Sequence, residues 1–276
     1  MKKILILLSC CFIYVFGNQE IKLVKGQAIF LEFDKKNFIE LKNQNQIIPT
    51  FIHPRNKNKI LAIFALPYKN PPKSTKLIAI YKNKQQEIII TALEGNYKSE
   101  QIQVVKNKIF PPKNVQDRIK KEFKEANNIY TSYTSKPLYD GTFSIPLASF
   151  ITSDFGKARI FNHKISSYHS GIDFRAISGT PVYATNSGIV KIAKNRYYAG
   201  NSVVIDHGLG IYSQYYHLSK INVKNGQKIK KGDLIGLSGA TGRVSGPHLH
   251  FGILVAQKQV DPLDFIKKFN ALFDEI

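Results

Sequence analysis

Cysteine, tryptophan, acidic side chains and long apolar runs are all scarce or missing in this chain of 276 residues, and each shortage excludes something. The 2 cysteines, Cys10 and Cys11, lie side by side in the apolar N-terminal stretch, so the remainder of the chain offers neither a disulfide framework nor thiol chemistry. There is no tryptophan, and 19 acidic residues stand against 40 lysines and arginines, a formal charge of +21. That excess biases the molecule toward polyanions. The lysines are spread among asparagines, however, and no dense basic tract with interleaved aromatics is present, so no nucleic-acid site is expected. The apolar run Ile4 to Phe16 is too short for a confident membrane-spanning helix.

What that run does resemble is an export signal. Met1-Lys2-Lys3 supplies the basic start, Val15-Phe16-Gly17 ends on a small residue, and Asn18-Gln19-Glu20 turns polar at once. Residues 1–17 are therefore expected to be a cleaved signal peptide, the only means of membrane association, with the protein working in the periplasm or cell envelope.

Three further parts follow. Residues 18–108 alternate short apolar segments with turn residues and read as an immunoglobulin-like β-sandwich. His53, beside Pro54, is expected to be exposed and idle in a turn. Residues 109–138 open on Pro111-Pro112 and carry Val115, Ile119, Phe123 and Ala126 at helical spacing, with Asn114 as N-cap, which predicts a helical linker. Residues 139–276 are again strand-like but richer in glycine. They end in a helix with Asp261 as N-cap and Pro262 at its first position, so an antiparallel β domain closed by one helix is expected.

Two clusters carry chemistry. In Gly246-Pro247-His248-Leu249-His250-Phe251 the apolar residues that follow predict a strand, and alternation puts His248 and His250 on one face. Upstream, His169-Ser170-Gly171-Ile172-Asp173 offers an imidazole and a carboxylate, both expected on a strand facing that pair. Two imidazoles and one carboxylate suit zinc, and three protein ligands leave a fourth position open. His217, in Tyr215-Tyr216-His217-Leu218, can bring another imidazole close without binding.

These clusters occur with Gly179-Thr180-Pro181-Val182-Tyr183-Ala184, Val204-Ile205-Asp206-His207-Gly208, Tyr216-His217-Leu218-Ser219 and Gly226 to Gly232 in one order. Together they resemble the M23 family of zinc peptidases, of LytM and lysostaphin type, which cut peptide bonds of bacterial peptidoglycan. The resemblance implies one zinc ion per chain held by His169, Asp173 and His250, with His217 and His248 as catalytic histidines. It also implies a monomer acting on peptidoglycan peptide stems as a D,D-endopeptidase, with D,D-carboxypeptidase action as a second activity, in wall remodelling and cell shape. His207 is then a structural turn histidine, and Arg159 and Asn162, in a loop before the first ligand, are substrate contacts. Tyr216 departs from the small residue that many members have there. The N-terminal half resembles sandwich domains that precede such peptidases and is expected to restrict access to the cleft. The alternatives are a non-catalytic M23-like regulator of a cell-wall amidase, which usually lacks a ligand, and a lipoyl-type carrier, which lacks an attachment site here.

Overall fold

The computed structural model describes residues 3–4, 12–102, 111–161 and 164–274, and divides them into two compact units: residues 1–95 with 258–276, and residues 96–257.

The first unit is a two-sheet sandwich. One sheet orders Gln19–Val24, Lys84–Leu93, Ser74–Tyr81, Phe38–Asn43 and Gln46–Ile48; the other orders Phe12–Tyr14, Ala28–Asp34, Asn56–Ala65 and Thr50–His53. Alternation drives it. In Ser74–Tyr81 the buried positions are Leu77, Ala79 and Tyr81, and in Lys84–Leu93 they include Ile88 and Ile90. These side chains meet Leu31, Phe33 and Leu41 in one core, each fully buried apolar side chain contributing about 1.5–3 kcal/mol.

Ala28–Asp34 is buried along nearly its whole length because both of its faces are covered. Leu31 and Phe33 point into the sandwich, while Phe30 lies against Phe265 and Phe269 of the terminal helix α2 (Pro262–Asn270), with ring centroids 6.1 and 5.9 Å away. Asp261 caps α2 as expected, accepting from the backbone N–H of Leu263 at 3.0 Å. The partner of α2 differs from expectation: its phenylalanine stripe fits the open side of this sandwich rather than the second β domain. His53 also differs from its expected exposure, being 4% exposed, with Nδ1 accepting from the Arg55 backbone N–H.

Most of the expected signal peptide lies outside the described residues. Its last part, Phe12–Tyr14, pairs in parallel with Ala28–Asp34, and Ile13 and Val15 are buried in the sandwich core. No helix among the described residues is long and apolar enough to cross a membrane.

The second unit is built on an antiparallel sheet ordered Ile151–Ser153, Ile172–Arg175, His248–Val255, Ile211–Leu218, Gly200–Asp206, Gly188–Arg196 and Lys228–Ile229. The expected strands appear with shifts of a few residues at their ends. A hairpin, Ala158–Phe161 with Lys164–Tyr168, was not foreseen; it takes Ser99–Ile102 as a third, parallel strand.

Helix α1 (Lys113–Thr131) forms where expected, but Asn114 is not its N-cap: Pro112 holds that position and no side chain caps the end. The expected docking stripe holds at Ala126, which is buried, and at the half-buried Val115 and Ile119, but fails at Phe123, which is 66% exposed. Glu122, Glu125, Ile129 and Tyr130 complete the docking face beside Ala126, spaced as one helix face. The carboxylate of Glu122 accepts from the Tyr197 backbone N–H at 2.8 Å and that of Glu125 from Lys194 Nζ at 2.7 Å. Ala126, Ile129 and Tyr130 pack on Ile192, Val204, Tyr212 and Leu254 of the sheet. Two glutamates in a docking stripe defeat a search for apolar periodicity.

Candidate metal centre

Strand register creates the centre. Ile172–Arg175 runs antiparallel to His248–Val255, so Asp173 sits opposite His250 and Arg175 opposite His248. His248 and His250 share a sheet face as alternation requires. His169 is not on a strand, contrary to expectation; it follows the end of Lys164–Tyr168. Its position is fixed by backbone bonds, His169 N–H to Lys157 O at 2.9 Å and Gly156 N–H to His169 O at 2.8 Å.

The glycine between the two upstream donor residues has a steric reason. A Cβ at Gly171 would lie 2.3 Å from the Phe251 carbonyl oxygen and 2.8 Å from His250 Nε2, so a larger residue would push the His250 ring away.

Three donor atoms meet here. His169 Nε2 is 3.0 Å from Asp173 Oδ1 and 2.9 Å from His250 Nδ1, and His250 Nδ1 is 3.0 Å from Asp173 Oδ1. The Nδ1 of His169 lies 2.9 Å from the Asp154 carbonyl oxygen, which can only accept, so that nitrogen carries the proton. In the neutral ring, Nε2 is then a lone pair aimed at a carboxylate oxygen and at a second imidazole. Acceptors crowded in this way need a cation between them. All three residues are buried, and a tetrahedral zinc ion with ligands about 2.0–2.1 Å away has edges of about 3.3 Å, close to the observed triangle. The donor set therefore fits a divalent metal.

Electrostatics agree. Burial would raise the Asp173 carboxyl, but the adjoining imidazoles of His169 and His250 outweigh it and hold the group well below the usual carboxylate range. Burial lowers the pKa of His250, against the opposing pull of Asp173.

Two further imidazoles face the same place. The rings of His217 and His248 are 4.9 Å apart, and His248 Nε2 is 3.7 Å from Asp173 Oδ1. Each points its Nδ1 at a carbonyl oxygen 2.9 Å away, that of Thr241 for His217 and that of Gly246 for His248. In the neutral tautomer this leaves both Nε2 atoms as lone pairs. Burial pushes the His217 pKa down to about 4, and the nearby charge of His250 acts in the same sense.

His217 reaches this face only through a backbone irregularity. Asn201 pairs with Leu218 but Val203 with Tyr215, so Tyr216 and His217 together oppose Ser202, and His217 takes φ +65°. Strict alternation would have put it on the side opposite Tyr216 and His250.

The remaining expected residues separate clearly. His207 is fully buried, with Nδ1 2.8 Å from Ser187 O and Nε2 2.7 Å from Ser213 Oγ, a structural position as expected. Arg159 lies on the unforeseen hairpin, its backbone paired with that of Ser167. Asn162 and His163 lie outside the described residues. The sequence marks Tyr216 as a departure that reshapes the groove wall, but not its stacking: its ring lies parallel to that of His250, at 8° and 5.3 Å between centroids. The strand register that pairs Tyr216 with His250 is the signal that reveals it.

Comparison with known proteins gives a consistent picture. Residues 167–262 match the sequence profile of Peptidase family M23. Over 116 residues, 41% of this chain, the sequence is 47% identical to the peptidoglycan DD-endopeptidase ShyA of Vibrio cholerae, 26% of whose length is covered. Lysostaphin of Staphylococcus simulans is 43% identical over 105 residues, 36% of this chain and 21% of that protein. The chain thus spans about a quarter or less of the length of these two relatives. A crystal structure from Pseudomonas aeruginosa assigned to peptidase M23 matches with a TM-score of 0.67 at 26% identity, covering 89% of this chain and 96% of that one.

Proposed function

Since the chain belongs to peptidase family M23, we propose that it is an exported zinc-dependent endopeptidase that cuts peptide cross-links of bacterial peptidoglycan, with D,D-endopeptidase as its main action. The observation that carries this reading is the triangle of His169 Nε2, Asp173 Oδ1 and His250 Nδ1, complete and about 3 Å on each edge. An intact ligand set speaks against a purely regulatory role.

The three residues of the triangle would hold the ion. When bound, zinc supplies Lewis acidity toward a carbonyl and toward water. The rest of the chemistry belongs to the chain. His248, anchored through Nδ1 on Gly246, presents Nε2 as a base that takes the proton of the attacking water. His217 is neutral near pH 7 because of its lowered pKa, and with its donor side used on Thr241 it begins as an acceptor that orients that water. Having taken that proton, the His248 imidazolium can donate it to the leaving amine. Arg159, and Asn162 three residues on, are the proposed contacts for the peptide stem, with the protein working as a monomer.

The deciding experiment digests purified sacculi with the protein, with chelator, and with chelator followed by zinc, and identifies released muropeptides by mass. Zinc-restored conversion of cross-linked dimers to monomers is expected; dimers left intact by the zinc-loaded protein would refute the endopeptidase reading. Loss of a terminal D-alanine from monomers reports any carboxypeptidase action. Export through residues 1–17 predicts an envelope protein whose intact mass begins at Asn18; a mass that retains Phe12 to Gly17 overturns that cleavage.

A further inference from the structure

The two histidines of the triangle are oriented differently. His169 is held through its distal nitrogen, Nδ1, on the Asp154 carbonyl, the usual way in which a metal-ligating imidazole is fixed. His250 has no such support, because its distal Nε2 is buried without a hydrogen-bond partner. Something else must fix that ring.

On one side the His250 ring meets the bare backbone at Gly171, and it lies parallel to the ring of Tyr216. Tyr216 is itself anchored. Its side chain packs with that of Tyr130 of α1 in one cluster, and its phenol lies within the influence of Arg196, whose Nη2 donates to the Glu122 carbonyl of the same helix at 3.2 Å. Tyr130 touches each side chain on this face of the strand in turn. Its ring meets that of Tyr212 edge-on at 5.4 Å, and its hydroxyl accepts from Gln214 Nε2 at 2.7 Å. Gln214 can lie flat there because position 252 is glycine, where a Cβ would sit 2.6 Å from its Oε1. The C-terminal end of α1 is pinned in turn by the Tyr212 hydroxyl, which donates to Ile129 O at 2.9 Å and approaches Ser132 O at 2.8 Å.

We infer that Tyr216 is a positioning residue for the metal ligand His250, its stacked ring doing the orienting work of a missing hydrogen bond, and that α1 holds Tyr216 in place through Tyr130 and Arg196. The inference rests on the zinc-peptidase reading. It makes α1 a working wall of the centre rather than a connector, and it gives the departure at position 216 a function.

The test measures zinc affinity by competition with a chromophoric chelator on the full chain, with circular dichroism to verify folding. Tyr216→Ala is expected to bind zinc about ten- to a hundredfold more weakly. Tyr216→Leu, which fills the space without a flat ring, should behave like alanine, so the test survives if the alanine variant does not fold. Tyr216→Phe keeps the stack and should stay within a few-fold of wild type. Tyr130→Phe should lower affinity by less than Tyr216→Ala. Wild-type affinity in both the alanine and leucine variants overturns the inference, as does a phenylalanine variant as weak as alanine. A wild-type protein that binds no zinc at all sinks the proposed function itself, and this inference with it.

Discussion

The two units use the same building material for opposite purposes. In the sandwich, alternation sends apolar side chains inward, and Gln19, Glu32, His53 and Gln86 are its buried polar residues among those described. In the second unit, buried polar groups crowd one sheet and its margins, among them His169, Asp173, Asp206, His207, Ser213, Gln214, His217 and His250. Burying such groups is costly unless they are paired, so their concentration marks the region where the fold has been shaped for chemistry. A β-sheet is a good support for this because cross-strand register sets distances between side chains directly. The pair Asp173 and His250 and the row Tyr212, Gln214 and Tyr216 stand on that register.

The contrast can be broken by substitution. The largest effect is expected at His250→Ala, which should lose stoichiometric zinc and with it all metal-dependent cleavage, as read by metal analysis of the purified protein; retained zinc would contradict the ligand assignment. His217→Ala should keep the metal but lose about 10²–10⁴-fold in turnover, because it removes proton handling only. Equal metal loss in both variants would erase the division of roles.

Apolar substitution in the sandwich should act on stability instead. Phe30→Ala removes the ring on which Phe265 and Phe269 pack, and about 3–5 kcal/mol of stability in the first unit should go with it, measured by denaturant unfolding. Zinc affinity should not change; if it falls in step, the two units are not separate in function.

A smaller, pH-dependent effect is expected from His207. Burial lowers its pKa to about 4 from an ordinary value near 6.5, so the unfolded chain binds the extra proton more readily. Its contribution is therefore complete above pH 6.5 and is lost as the pH falls toward 4, a change of about 3 kcal/mol. His207→Gln should flatten this part of the melting-temperature profile; an unchanged slope would mean that another group carries it.

Much of the centre was legible in the sequence because it depends on local rules. Alternation along one strand puts His248 and His250 together. The strands of the second unit were legible for the same reason, since turn residues separate them. Other features were not, and each has a physical cause. His53 stands beside a proline and was read as exposed, yet tertiary packing buries it. The docking face of α1 contains Glu122 and Glu125, whose partners Tyr197 and Lys194 are distant in the chain. The partner of α2 could not be read from its own stripe, because an apolar stripe says that a helix packs but not on what.

The sequence by itself determined which donor groups are available: two imidazoles and a carboxylate, in motifs whose order resembles that of the M23 peptidases. Only the tertiary structure decided which side chains stand beside that chemistry. His217 crosses to the working face because an extra residue interrupts pairing opposite Ser202, and Tyr216 comes to lie on His250 because two strands far apart in sequence share a register. Both are long-range facts. A residue's neighbours along the chain fix its rotation and its face, but only the pairing of distant strands fixes what it touches.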